Sequence, residues 1–315
     1  MSSCTLAALR IGVYISTRDG CSVDEAVSRI QRAEAQGFYS AWLSQLFDYD
    51  ALTLLALAGR VTERIELGTW VVPSYPRHPS ALASQALTVQ AASGNRLALA
   101  IGLSHQVIIE NRLGLDYSKP IRHMREYLSV LVPLLAGEAV RFEGHEYRVS
   151  LELDLRGVQS PPVLVAALGP QMLELAGRMA AGTAIWLGGP TYLREFALPR
   201  ITAAARAAAR PSPRVVCGFP IAVSKQHEAA RRSAAALIER SAKLPSYQAV
   251  LARGELSEPA SLAIIGDESH VHAELQALAK LGVTDLNAVL FDVDGDPEAW
   301  RRSYAFLAEL ARSGV

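Results

Sequence analysis

Short β-type runs alternate with helix-type segments along the whole chain, and this alternation limits the fold more than any single motif does. Runs of apolar, often β-branched residues occur at 11–15, 39–43, 65–72, 96–101, 163–167, 183–187, 215–223 and 286–291. Helix-type patterns lie between them, near 51–58, after Pro79, and near 121–135, 171–180, 191–209, 226–243, 268–281 and 297–312. The first crossover shows how they are delimited. Ser22 and Glu25 have capping-box spacing, Val23, Ala26, Ile30 and Ala33 share one face, and Gly37 stands where a helix ends. Parallel strands need such crossovers, because a two-residue turn cannot return the chain in the same direction.

Eight strands in strict alternation imply a (β/α)8 TIM barrel, in which the active site lies at the C-terminal ends of the strands. An open doubly wound sheet is the competing architecture. It usually carries G-x-G-x-x-G, and neither that pattern nor G-x-x-x-x-G-K-[ST] occurs here. Two stretches break the rhythm. Residues 138–160 contain β-rich arms around Gly144 and read as a hairpin insertion, and 244–262 reads as a helical excursion or lid. The expectation is one barrel domain over 1–315 with insertions at about 138–160 and 244–262.

Composition removes several function classes. The 315 residues include 31 basic and 31 acidic side chains, so the formal net charge is zero, and half of the residues are hydrophobic. Surface scaling buries roughly three quarters of such a chain, ample for a large core. Nucleic-acid binding rests mainly on phosphate neutralisation, for which a neutral chain is poorly suited. Cys4, Cys21 and Cys217 form neither a disulfide framework nor a zinc pattern, so no metal is expected. No apolar run approaches the roughly 20 residues of a membrane span, and no signal peptide opens the sequence, so a cytoplasmic protein is expected.

The strand ends supply the candidate site. Ser44 and Gln45 follow strand two, Thr69 and Trp70 lie near the end of strand three, Ser104 and His105 follow strand four, Leu168 and Gly169 follow strand five, and Trp186 closes strand six. Trp42, Trp70 and Trp186 are expected near one mouth, where flat apolar walls suit a planar heterocycle, although tryptophans also fill barrel cores. At 166–170 a strand runs straight into a helix. Pro170 suits the first turn, Gly169 lets a ligand approach, and the free amides there favour an anion. His105 alone among the histidines falls directly at a strand end, with a pKa suited to proton transfer. The segment Gly102-Leu-Ser-His-Gln106 lacks the last glycine of a nucleophile elbow, and Asp292–Asp296 has Pro297 where a calcium loop needs glycine. His270, His272 and the 292–296 segment read as solvated surface.

Taken in order, the motifs resemble the bacterial luciferase-like flavin and deazaflavin oxidoreductases, especially the branch that uses coenzyme F420. The resemblance runs from Ile11 to about Leu310. It is carried by Ile65-Glu-Leu-Gly-Thr-Trp-Val-Val72, Arg77-His-Pro79, Ser84-Gln-Ala-Leu-Thr88, Gly94-Asn-Arg96, Leu99-Ala-Ile-Gly-Leu-Ser-His105, Tyr127-Leu-Ser-Val-Leu-Val-Pro-Leu-Leu135, Ala166-Ala-Leu-Gly-Pro170 and Leu281-Gly-Val-Thr-Asp285. It implies an insertion-bearing barrel with F420, or alternatively FMN, in the mouth and its phosphate toward the strand-five turn. It also implies a non-prolyl cis peptide at Trp70–Val71. Contacts are expected from Ser44, Gln45, Thr69, Trp70, Val71, Ser104, Ala167, Leu168, Gly169, Ala184, Ile185 and Trp186, with His105 as proton donor. Arg77 and the Gly169 amides are expected to supply positive potential. Many deazaflavin relatives carry Asp-His where this chain has Ser44-Gln45, and glutamine is neither acid nor base near neutrality. The implied reaction is hydride transfer between F420 and a small acceptor with C=C, C=N or C=O. The alternatives are an FMN-dependent monooxygenase and a non-catalytic flavin-binding barrel, and the protein is expected to be a possible homodimer without nucleic-acid or membrane partners.

Overall fold

The computed structural model describes residues 9–155, 157–256 and 258–314; Cys4 lies outside them. Eight parallel strands close on themselves: β1 (Arg10–Tyr14), β2 (Ser40–Leu43), β3 (Glu66–Thr69), β4 (Leu97–Gly102), β5 (Val163–Ala166), β6 (Gly182–Trp186), β7 (Arg214–Val223) and β8 (Asp285–Leu290). Neighbours in sequence are neighbours in space, and closure comes from β8 pairing with β1 through Ile11 opposite Leu286. The (β/α)8 barrel expected from the alternation is the observed fold.

Helices α1 (Val23–Gln36), α2 (Ala51–Val61), α3 (Pro79–Ala92), α4 (Gln106–Asn111), α5 (Pro120–Leu135) and α6 (Pro170–Met179) follow in order. The helical segment 190–207, α7, comes next, then α8 (His227–Ala242), α9 (Pro245–Arg253), α10 (Glu268–Leu281) and α11 (Ala299–Ser313). Local chemistry sets the ends as the sequence suggests. The Ser22 hydroxyl accepts from the Glu25 N–H, and Gly37 takes a left-handed φ of 92° that a side chain would resist. Segment α7 contains a π-helical stretch at Leu193–Ala197, next to Pro199, which has no N–H to continue the ladder.

Both rhythm breaks are built as insertions. Val140–Glu143 pairs antiparallel with Arg148–Leu151, and the Glu126 carboxylate on α5 clasps this hairpin by accepting the N–H groups of His145, Glu146 and Tyr147. The 244–262 excursion contains α9 and a short 3-10 turn, Pro259–Leu262. Asp296 is not simply solvated, because it accepts from Ser224 at 2.6 Å and pairs with Arg302, clasping the β7 end to α11.

The barrel interior is layered, as expected when alternate residues of each strand point inward. At the N-terminal end Arg214 pairs with Glu66 and Asp285, and Arg10 also reaches Asp285 at 2.6 Å, so the floor is an ion network rather than an opening. Above it Trp42 is fully buried, packed with Ala98, Ala100, Leu164, Ala184 and Val216. A methyl group at Gly12 or Gly68 would collide with the Trp42 indole, so these glycines make room for one large ring. Trp42 therefore belongs to the barrel core and not to the mouth surface.

Candidate active site

The mouth is framed by breaks in regular strand structure. After Thr69 the β3 ladder stops, the Trp70–Val71 peptide bond is cis, and Val72–Pro73 resumes pairing opposite Ile101 and Gly102. The Thr69 hydroxyl donates to the Ala100 carbonyl and accepts from its N–H, both at 2.7 Å, replacing the interrupted ladder. Gly102 lets this bulge approach, since a methyl there would lie 2.8 Å from Val71 Cγ2. Ser104 and Leu187, just past β4 and β6, adopt φ of 61° and 57°. Such left-handed conformations are costly for non-glycine residues and gather where a site constrains the chain.

Trp70 and Trp186 share this mouth. Both lie against Gly218 of β7, whose missing side chain leaves space for them. Trp70 also meets Trp42 edge-on, with centroids 5.8 Å apart and planes at 70°. Ser44 donates to the Trp70 carbonyl at 2.8 Å, tying β2 to the cis bulge. Gln45 uses its side-chain oxygen to accept from the Ala51 N–H at 2.8 Å, so it caps α2. Val71, Ser104, His105, Leu168 and Gly169 are all partly accessible around the rim.

Four expected contacts sit deeper. Thr69, Ala167 and Ile185 have no accessible surface, and Ala167 and Ile185 pack in the apolar layer between barrel and helices. Their positions alternate with Trp70, Leu168 and Trp186, so strand parity turns them away from the mouth. Ala184 points inward but lies in the Trp42 layer. These residues support the wall and do not form its surface.

His105 precedes α4 without capping it and is half-buried; loss of solvent alone lowers its pKa, so the ring is neutral near pH 7. At β5, Gly169 is the N-cap of α6, with no side-chain cap and nothing within 4 Å of where its methyl would be. No side chain caps the first amides of α6, the arrangement that binds anions at helix starts. Arg77 is not part of that potential. Its guanidinium pairs with Asp50, the N-cap of α2, and its other terminal nitrogen is buried without a partner.

The residue pattern that defines the luciferase-like monooxygenases matches residues 4–285. The chain belongs to the luciferase-like family. The 5,10-methylenetetrahydromethanopterin reductase of Archaeoglobus fulgidus is 30% identical over 295 residues, covering 91% of this chain and 86% of the relative. The coenzyme F420 dependent tetrahydromethanopterin reductase from Methanopyrus kandleri superposes with a TM-score of 0.75 at 22% identity, covering 97% of both chains. The oxygenating constituent of 3,6-diketocamphane monooxygenase from Pseudomonas putida, in complex with FMN, superposes with a TM-score of 0.76 at 17% identity, covering 96% of this chain and 97% of that one. At these identities the two superpositions show a shared barrel fold.

Within this luciferase-like mouth, three residues escape a reading of apolar runs. Tyr14 ends β1 with its hydroxyl against Ser44, and burial pushes its pKa up. Asn287 of β8 lies opposite both Gly12 and Gly218, fully buried, with neither its amide nitrogen nor its oxygen paired. Tyr247 of α9 lies across the mouth from a distant part of the chain, with its ring centroid 5.8 Å from that of His105. Period-two alternation carried inward from Gly12 and Gly218 would have flagged Tyr14 and Asn287; nothing local flags Tyr247.

Proposed function

We propose that this luciferase-like barrel is a two-electron oxidoreductase that uses coenzyme F420 to exchange a hydride with an unsaturated small-molecule acceptor, its reacting bond C=C, C=N or C=O. The observation that carries the reading is the meeting of two indoles over Gly218, with a half-buried, neutral His105 past the end of β4. The F420-dependent relatives support the choice of cofactor.

The residues present fit such a group. Asn287 offers an unpaired donor and an unpaired acceptor at the floor of the mouth, which suits the polar edge of a planar heterocycle, and unmet buried amides are costly without a partner. The open space at Gly169 and the uncapped start of α6 suit a phosphate. When bound, a deazaflavin supplies the hydride chemistry itself.

The chain then has four tasks. Trp70, Val71 and Trp186 bind and orient a flat ring by apolar contact, and Ser44 holds the Trp70 carbonyl in place. The α6 amides hold the anionic end. His105 presents an N–H to the acceptor and excludes charge from the reacting region, because burial disfavours the imidazolium. The covering segment around α9 excludes water. A homodimer in the cytoplasm belongs to the same reading, with exposed Leu57 and Val61 on α2 in support of association.

Anaerobic mixing with reduced F420 and 2-cyclohexen-1-one tests the reaction. Enone-dependent return of oxidised deazaflavin fluorescence is expected. No return with any C=C, C=N or C=O acceptor, together with oxygen uptake on reduced FMN, favours the monooxygenase reading instead.

A further inference from the structure

The segment after α8 leaves the barrel wall and packs back across its C-terminal end. Leu251, Leu256 and Tyr247 from this segment join Trp186 in packing against buried Leu187, Ile238 and Leu262. Gly189 permits the approach, since a methyl there would lie 2.7 Å from Leu262 Cδ2 and 3.2 Å from Leu256 Cδ1. This apolar clasp fixes the start of α9 over the β6 end. It sets the Tyr247 ring beside His105, with the centroids 5.8 Å apart and the ring tilted 51° to the imidazole.

Neither Tyr247 nor His105 has a side-chain hydrogen bond among the described residues, and burial is the sole influence on either group's titration. Burial holds the phenol protonated and the imidazole neutral. The mouth therefore presents two neutral donors, from elements about 140 residues apart, beside an indole wall. Neither the Tyr247 hydroxyl nor a His105 ring nitrogen is among the buried atoms without a partner, so both stay within reach of a ligand atom that accepts from them. A carboxylate would have to shed its water here without a matching cation, so the pair suits an uncharged acceptor.

We infer that Tyr247 is the acceptor-binding residue of this mouth, its hydroxyl donating to the oxygen or nitrogen of an uncharged carbonyl, enone or imine bound alongside Tyr247 and His105. The inference deepens the F420 reading for the reaction, but the contact itself is independent of cofactor. Tyr247→Phe keeps the ring that packs against the Leu187, Ile238 and Leu262 cluster and removes only the hydroxyl, so folding is preserved.

The probe is 2-cyclohexen-1-one, titrated by tryptophan fluorescence quenching against wild type and Tyr247→Phe, each with and without F420. Loss of one neutral hydrogen bond should weaken the enone roughly tenfold. The F420 dissociation constant should not change. Equal enone affinity in the two proteins overturns the inference. So does a wild type that fails to bind the enone at tens of millimolar. A wild type that binds the enone through Tyr247 and does not bind F420 leaves the inference standing and refutes the proposed function instead.

Discussion

Replacing Gly218 with alanine tests whether Trp70 and Trp186 form the ligand-facing wall. Gly218 faces the interior opposite Trp186 of β6 and Asn287 of β8. Its added methyl would lie 2.6 Å from Trp70 Cζ2 and 2.8 Å from Trp186 Cε3. Carbon pairs settle at about 3.5–4.0 Å, so both indoles must retreat by about 1 Å. Gly218 is not among the positive-φ positions, so backbone strain adds nothing and the effect is purely steric. Overpacking of this kind costs about 1–3 kcal/mol of stability. If the shifted rings lose about 50 Å² of contact with a flat ligand, at about 25 cal/mol/Å² the loss is about 1.3 kcal/mol. That is roughly a tenfold weaker dissociation constant. Thermal unfolding and F420 fluorescence titration read the two quantities separately. An unchanged F420 affinity in a variant whose tryptophan emission has shifted would refute the placement of the ring between these indoles.

Gly169→Ala should behave in the opposite way: its methyl meets nothing within 4 Å and its φ of −96° is ordinary, so stability should move by less than about 0.5 kcal/mol while F420 binding weakens. Unchanged affinity in that variant would remove the anion cradle from the account. His105→Ala should leave F420 affinity intact and lower enone turnover roughly tenfold through loss of its hydrogen bond to the acceptor, and turnover at the wild-type rate would exclude it as an acceptor contact. His123, buried against Ser74 at 2.9 Å and stacked on Tyr75 at 3.8 Å, is pushed down to about 4 by loss of solvent, with Glu146 and Glu126 opposing. The unfolded chain binds that proton from about pH 6.5, so the contribution is complete above pH 6.5 and lost as pH falls toward about 4. With partial hydration of the ring discounted, it is worth about 2 kcal/mol. Urea midpoints across that range should fall for wild type and flatten for His123→Gln; equal slopes would contradict the assignment.

The barrel was legible because eight apolar runs and their crossovers are local signals, and seven strand ends fell within a residue of the observed ones; the third run, 65–72, overran the Thr69 end of β3 because the cis bulge at Trp70–Val71 interrupts it. Parity was legible too but needs one more step. Thr69, Ala167 and Ile185 adjoin mouth residues in sequence and still face away, because successive side chains of a strand point to opposite sides. Trp42 illustrates the same limit in depth, since its strand position points it inward but only Gly12 and Gly68 reveal how far below the mouth it is accommodated. Arg77 was expected to lend positive potential to the mouth, but it pairs with Asp50 at the start of α2, a contact between distant segments that no spacing announces. Tyr247 was beyond reach for a similar reason: its place beside His105 depends on an apolar clasp made by Leu187, Ile238 and Leu262, three residues from separate segments.

The most direct test of the central claim is a side-by-side equilibrium titration of the wild-type protein with F420 and with FMN, read by fluorescence quenching. The mouth framed by Trp70, Trp186 and the α6 amides should bind F420 with a micromolar or lower dissociation constant and clearly tighter than FMN. Micromolar binding of FMN with no detectable binding of F420 would contradict the account.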